Sequence, residues 1–163
     1  HRLAHGGVTR TYHKYTPPGL GSGRTALVII LPGSGGSGAI SATCGQSESH
    51  INLLADQQGF VVVYPDGVGG GWNTCGPDSG TADRVDDVGF IRAVINDVAR
   101  TNTINREKVF AIGVSAGGML ASRLAREMTD QLAGIGMMIA AERVDTRREC
   151  RAPSRPVSVV VWW

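Results

Sequence analysis

The 163-residue sequence has four histidines, His1, His5, His13 and His50, and none in the remaining two thirds of the chain. It also has no long hydrophobic run. ALVIIL at 26–31 and LAGIGMMIAA at 132–141 fall well short of the roughly 20 apolar residues that span a bilayer, so no transmembrane anchor is visible. Charge of one sign is scarce, with 16 basic against 14 acidic residues and a formal net charge of +2. That balance argues against a nucleic-acid footprint, and the one basic stretch, DTRRECRAPSR at 145–155, has no interleaved aromatics to stack bases. No Gly-Lys-Ser/Thr follows the glycine-rich stretch at 33–38, which excludes a Walker-type phosphate loop. Cysteine is limited to Cys44, Cys75 and Cys150. Cys44 and Cys75 fit a pair between two loops, leaving Cys150 to a partner elsewhere; three reduced thiols fit the spacing equally. The first residue is His1, so the natural start is expected upstream, with any signal peptide removed or not included.

What is present reads as one folded unit, since 42% hydrophobic content in a chain about one domain long supports a sizeable core. GVTRTYHKYTP at 7–17 alternates and predicts an edge strand, turning at GLGSG into a hairpin with 25–31. ALVIIL and FVVVYP (60–65) are β-branched runs suited to parallel strands buried on both faces. Between them SESHINLLADQQG predicts a helix with Ile51, Leu54 and Ala55 inward, ending at Gly59. A second helix is expected over about 87–100, with Val88, Ile91, Ile95 and Val98 inward and Asp86 and Asp87 capping its start. KVFAIGVS (108–115), the helix GGMLASRLAREM, then LAGIGMMIA and PVSVVVWW continue the alternation. The pattern specifies an α/β domain with a mainly parallel sheet.

The strongest chemical signal is Gly113-Val114-Ser115-Ala116-Gly117, a G-x-S-x-G motif between a buried strand and a periodic helix. A serine there sits on a tight turn whose flanking positions must be small, which lifts its Oγ toward a carbonyl. The N–H of Ala116, at a helix start, points where an oxyanion would form. LPGSGGSG at 31–38 contains G-x-G-x-x-G, but about ten residues separate Gly38 from the next helix, and the acid after the second strand, Asp66, comes 33 residues after Gly33. A dinucleotide fingerprint needs the helix within the glycine run and the acid about 20 residues on. The remaining reading makes this loop the second oxyanion donor, through the N–H of Ser34.

Taken together, LPGSGGSG, GFVVVYPDG, GWN (71–73), DDVGFI (86–91), REKVFAIGVSAGGMLASRLA and CRAPSRPVSV (150–159) resemble the α/β-hydrolase esterase family of polyhydroxybutyrate depolymerases, feruloyl esterases and acetylxylan esterases. The resemblance implies an α/β-hydrolase fold over 1–163, its N-terminal and central part, with Ser115 as nucleophile. It further implies Ser34 and Ala116 as oxyanion-hole amides and Gly113 and Gly117 as the small residues of the elbow. Trp72, with Asn73, would flank the substrate cleft; for Trp72 an ordinary half-buried aromatic is the competing reading. No metal or cofactor is implied, the partner is an ester substrate, polymeric in some family members, and the setting is secreted or periplasmic. The sequence departs from the family in two places. Pro32 stands where the family has histidine. The expected order of serine, acid, histidine is not met either, because every histidine precedes Ser115, and Asp130 and Asp145 fall at a helix end and in a loop. His50 would serve as base only if its helix faced the elbow. Three explanations follow: a fragment of a longer enzyme, favoured by an ending in a bare strand; a site completed by another polypeptide; or a noncatalytic hydrolase-like module that binds carbohydrate or polyester.

Overall fold

The computed structural model describes residues 1–38, 50–74, 85–140 and 153–162. Among them seven strands form one sheet, β1 (Arg2–His5), β2 (Val8–Tyr15), β3 (Thr25–Leu31), β4 (Val61–Pro65), β5 (Ile104–Val114), β6 (Gly134–Met138) and β7 (Ser158–Trp162), in the order β1-β2-β4-β3-β5-β6-β7. Strands β4, β3, β5, β6 and β7 run parallel, and β1 and β2 are antiparallel to their neighbours. The burial pattern explains the order. β4 is buried at all five positions, as expected of a strand flanked by neighbours and covered on both faces. The alternating β2 lies nearer the margin.

Three helices among the described residues connect the strands: α1 (Ile51–Gln58), α2 (Asp87–Thr101) and α3 (Ala116–Glu127). Helices α2 and α3 cover one face, where Ile91, Ile95, Leu120 and Leu124 pack with Leu27, Ile29, Leu31, Val61 and Val63. Helix α1 covers the other face, where Ala55 joins Val62 and Tyr64. The inward set expected for α2 is buried at every position, and α1 ends at Gly59 with φ 72, as the glycine C-cap requires. Because β3, β4 and β5 are parallel, the segments that leave their C-terminal ends gather along one edge of the sheet. Such an edge is where open α/β sheets build sites.

Two expectations are corrected. Strand β2 is neither at the margin nor hairpinned to β3: β1 pairs outside it and β4 lies between it and β3. β3 is apolar in both directions and satisfies its ladder with the parallel strands β4 and β5, leaving β2 the side of β4 that remains. Helix α1 is rolled relative to the expected face. Asn52 and Ala55 are its buried residues, and Leu54 is exposed. The Tyr64 hydroxyl donates to Asn52 Oδ1 at 2.6 Å, so a hydrogen bond to a buried phenol selects the polar residue. Burial pushes that phenol up to about 12. Among the described residues no helix is long and apolar enough to cross a membrane.

Candidate active site

The elbow forms because β5 runs into α3 with almost no connecting chain. Ser115 has φ 51 and ψ −120, a conformation that costs a non-glycine residue about 1–3 kcal/mol and persists only when surrounding structure imposes it. Two main-chain hydrogen bonds impose it here: Ser115 N–H donates to Met138 O at 2.9 Å, and Met119 N–H donates to Ser115 O at 3.0 Å. The serine side chain makes no capping bond to its own helix and lies on the surface, leaving Oγ available for attack. The flanking glycines are explained by distance. A Cβ on Gly113 would fall 2.1 Å from Gly117 C, and a Cβ on Gly117 would fall 2.1 Å from Leu31 O.

Opposite the elbow lies the loop after β3. A Cβ on Gly33 would stand 3.4 Å from Ser115 Cβ and 3.3 Å from Val114 O, so the loop main chain lies close against the serine, and a side chain at 33 fits only if these neighbours yield by a few tenths of an ångström. A turn, Gly36 N–H to Gly33 O at 3.0 Å, places Ser34 at its exposed tip. The first N–H groups of a helix lack intrahelical partners, and Ala116 is the first residue of α3. Ser34 and Ala116 thus sit on the two segments that face each other across Ser115.

The loop is clamped from residues 66–72 at three points. The Trp72 indole donates to Pro32 O at 2.8 Å, Gly35 N–H to Gly70 O at 2.8 Å, and Gly38 N–H to Asp66 Oδ1 at 2.6 Å. The clamping segment has anchors of its own. Thr11 Oγ1 donates to Asp66 Oδ2 at 2.5 Å, and Arg10 Nη2 donates to Asp66 O at 3.0 Å and to Asp87 Oδ1 at 2.7 Å. Asp87 Oδ2 accepts from Asn73 N–H at 2.6 Å, and Arg123 Nη1 donates to Asn73 O at 2.9 Å. Side chains of Arg10 and Asp87 are 2% and 1% exposed, and the guanidinium lies 4.0 Å over the Phe90 ring. Burial pushes the Asp87 carboxyl above its ordinary value, only partly countered by the Asn73 amide and Arg10.

These contacts revise several expectations. Trp72 is not at the rim of a cleft: it is 3% exposed and belongs to the core, because its indole satisfies the Pro32 carbonyl. Asn73 is likewise occupied, its side-chain amide donating to Val85 O at 3.1 Å. Asp86 does cap α2, accepting from Gly89 N–H at 2.8 Å. Burial raises its carboxyl, but Gly89 and His5 outweigh this and hold it below the ordinary value. Asp87 is not a cap but half of the buried pair. Sequence reasoning missed that pair, although an arginine at an inward position of β2, two residues before the buried Tyr12, was a signal that a buried counter-charge must exist.

Among the described residues no histidine is hydrogen-bonded to Ser115. His1 stacks on Tyr12, His5 meets Asp86 at 3.0 Å, and His13 is on β2, which β4 and β3 separate from β5. His50 precedes α1, the helix on the sheet face opposite α3. Asp130 lies beyond the far end of the 12-residue α3, about 18 Å of helix from Ser115, and pairs with Arg92 at 3.1 Å. Cys44, Cys75, Cys150 and Asp145 lie outside the described residues, so the expected Cys44–Cys75 pair does too.

Residues 10–145 match the family described as Esterase PHB depolymerase. NocK of Nocardia uniformis subsp. tsuyamanensis, named as an esterase, is 35% identical over 158 residues, covering 94% of this chain and 44% of that protein. The bifunctional acetylxylan esterase/xylanase XynS20E of Neocallimastix patriciarum is 30% identical over 127 residues, covering 78% of this chain and 17% of that protein. Among solved structures, an acetyl xylan esterase from Aspergillus awamori superposes with a TM-score of 0.65 at 22% identity, over 80% of this chain and 47% of that one. The chain spans less than half the length of these relatives.

Proposed function

The chain belongs to the PHB depolymerase family of esterases and has the α/β-hydrolase fold, and from that premise we propose that it hydrolyses carboxylic esters through an acyl-enzyme on Ser115. The observation that carries the reading is the strained Ser115 at φ 51, uncapped and exposed, with the Gly33 main chain packed against it. In the proposed reaction Ser115 Oγ bonds to the ester carbon while its proton passes to a general base. Negative charge gathers on the carbonyl oxygen, which the N–H groups of Ser34 and Ala116 receive. The ester C–O bond breaks, the alcohol leaves with that proton, and water then repeats the sequence on the acyl-enzyme to release the acid. Removal of one such donor typically costs about 100- to 1,000-fold in rate.

The ester would be of polyhydroxyalkanoate, feruloyl or acetyl-polysaccharide type, in an extracellular or periplasmic setting. A second reading, a noncatalytic module that binds such substrates, draws on the lack of a hydrogen bond between Ser115 and any of the four histidines among the described residues. One experiment separates them. The 163-residue chain and its Ser115→Ala variant are compared for p-nitrophenyl acetate hydrolysis and for covalent labelling by a fluorophosphonate. Hydrolysis and labelling that vanish in the variant support the esterase. Equal hydrolysis, or no labelling of either with polyester or xylan binding retained in both, supports the module.

A further inference from the structure

Arg10 and Asp87 lie on β2 and at the start of α2, neither of which carries Ser115. A fully buried ion pair is weak evidence for stability, since apolar residues of similar volume often serve as well. What distinguishes this pair is what its remaining valences hold. We propose that Asp87, fixed by Arg10, is a positioning residue for the oxyanion loop at 33–36, acting through residues 66–73; the proposal rests on the reading of that loop as part of the site. The pair grips both ends of the intervening segment. Arg10 Nη2 reaches Asp66 O at 3.0 Å, and Asp87 Oδ2 receives Asn73 N–H at 2.6 Å.

Between those ends the segment holds the oxyanion loop directly, through Gly70 O on Gly35 N–H at 2.8 Å and the Trp72 indole on Pro32 O at 2.8 Å. The position of Ser34 therefore depends on a carboxylate that never meets substrate. A buried pair suits this task because its geometry is strict: both oxygens of Asp87 are engaged from different directions, so neither end of the segment shifts without breaking a charge-assisted bond. A displacement of about 1 Å in a catalytic group can cost on the order of 100-fold.

The test compares Asp87→Asn with Asp97→Asn in the whole chain. An amide in place of the Asp87 carboxylate keeps the side-chain volume but accepts only one of the two bonds. Asp97 accepts from the Tyr12 hydroxyl at 2.6 Å, on the same helix and strand but off the path to the loop, so its variant reports general loosening. Amide hydrogen exchange at 33–36 is followed with thermal midpoint, and p-nitrophenyl acetate kinetics are resolved into kcat and KM. Asp87→Asn is expected to speed exchange at 33–36 by about tenfold and to lower kcat by about 10- to 100-fold with KM little changed; Asp97→Asn is expected to do neither. Unchanged exchange at 33–36 in Asp87→Asn overturns the proposal, as does the same pattern in Asp97→Asn at equal thermal loss. If Asp87→Asn does not fold, Arg10→Lys, which keeps the charge but not the Nη2 group that reaches both Asp66 O and Asp87 Oδ1, is expected to speed exchange in the same segment, and no change there overturns it. A parent chain that neither hydrolyses nor labels takes kcat out of the comparison, and exchange at 33–36 alone then decides the positioning role.

Discussion

Replacing Gly117 by alanine sets two known effects against each other. Gly117 is the second residue of α3, and alanine in a helix is favoured over glycine by about 1 kcal/mol. On propensity alone the variant gains stability. Its added Cβ, however, would lie 2.1 Å from Leu31 O and 2.6 Å from Leu31 C and Pro32 O, about 1 Å or more inside the roughly 3.5 Å of ordinary contact. Those atoms are main chain, Leu31 paired with Gly113 of β5 and Pro32 O held by the Trp72 indole, so they cannot rotate aside as a side chain would. Overpacking typically costs about 1–3 kcal/mol, and rigid main-chain neighbours put this site at the upper end. The net is a loss of about 2 kcal/mol, or roughly 4–8 °C in Tm for a chain of this size. Thermal and urea unfolding of Gly117→Ala are compared with Gly71→Ala, where the nearest atom to the new Cβ is 3.9 Å away and a change within about 0.5 kcal/mol is expected. A Gly117→Ala protein as stable as the parent, or more so, would refute the steric account of the elbow.

Ile139 is a β-branched residue at φ 50 and 70% exposed; Ile139→Gly should gain about 1 kcal/mol in urea unfolding, strain relief exceeding the entropy of glycine, and a loss would contradict the strain. The Arg92 guanidinium holds the Asp130 carboxyl below its ordinary 3.8. A depressed folded value means its contribution is full above that ordinary value and is lost as pH falls through the folded one. Urea midpoints of Asp130→Asn should therefore drop less steeply than the parent's below about pH 4, and parallel profiles would count against the pairing. Thiol titration in denaturant without reductant should find one free thiol if Cys44 and Cys75 are bonded, and three would end that expectation.

What the sequence disclosed and what it withheld divide along local and nonlocal lines. α2 was legible because its helical spacing is contained within fifteen residues and its cap, Asp86, immediately precedes them. The elbow was legible because G-x-S-x-G constrains main chain on both sides of one turn. β2 was misplaced because alternation reports which face is buried and says nothing of which strand lies alongside. The roll of α1 depends on Tyr64 reaching Asn52, a contact that becomes visible only once β4 is seated beneath the helix. Asp87 looked like Asp86 in every local respect. What separates them is Arg10, 77 residues away in sequence, and only the fold brings that residue into contact.

The bond between Trp72 and Pro32 also has an optical consequence. An indole at 3% exposure that donates to a carbonyl of the loop after β3 is expected to emit from a dry, fixed environment, whereas Trp162, 52% exposed on β7, is expected to emit into solvent. Iodide should quench the second and spare the first. With Trp163 replaced by phenylalanine, the short-wavelength, quencher-resistant part of the intrinsic fluorescence becomes a label-free gauge of the chain facing Ser115.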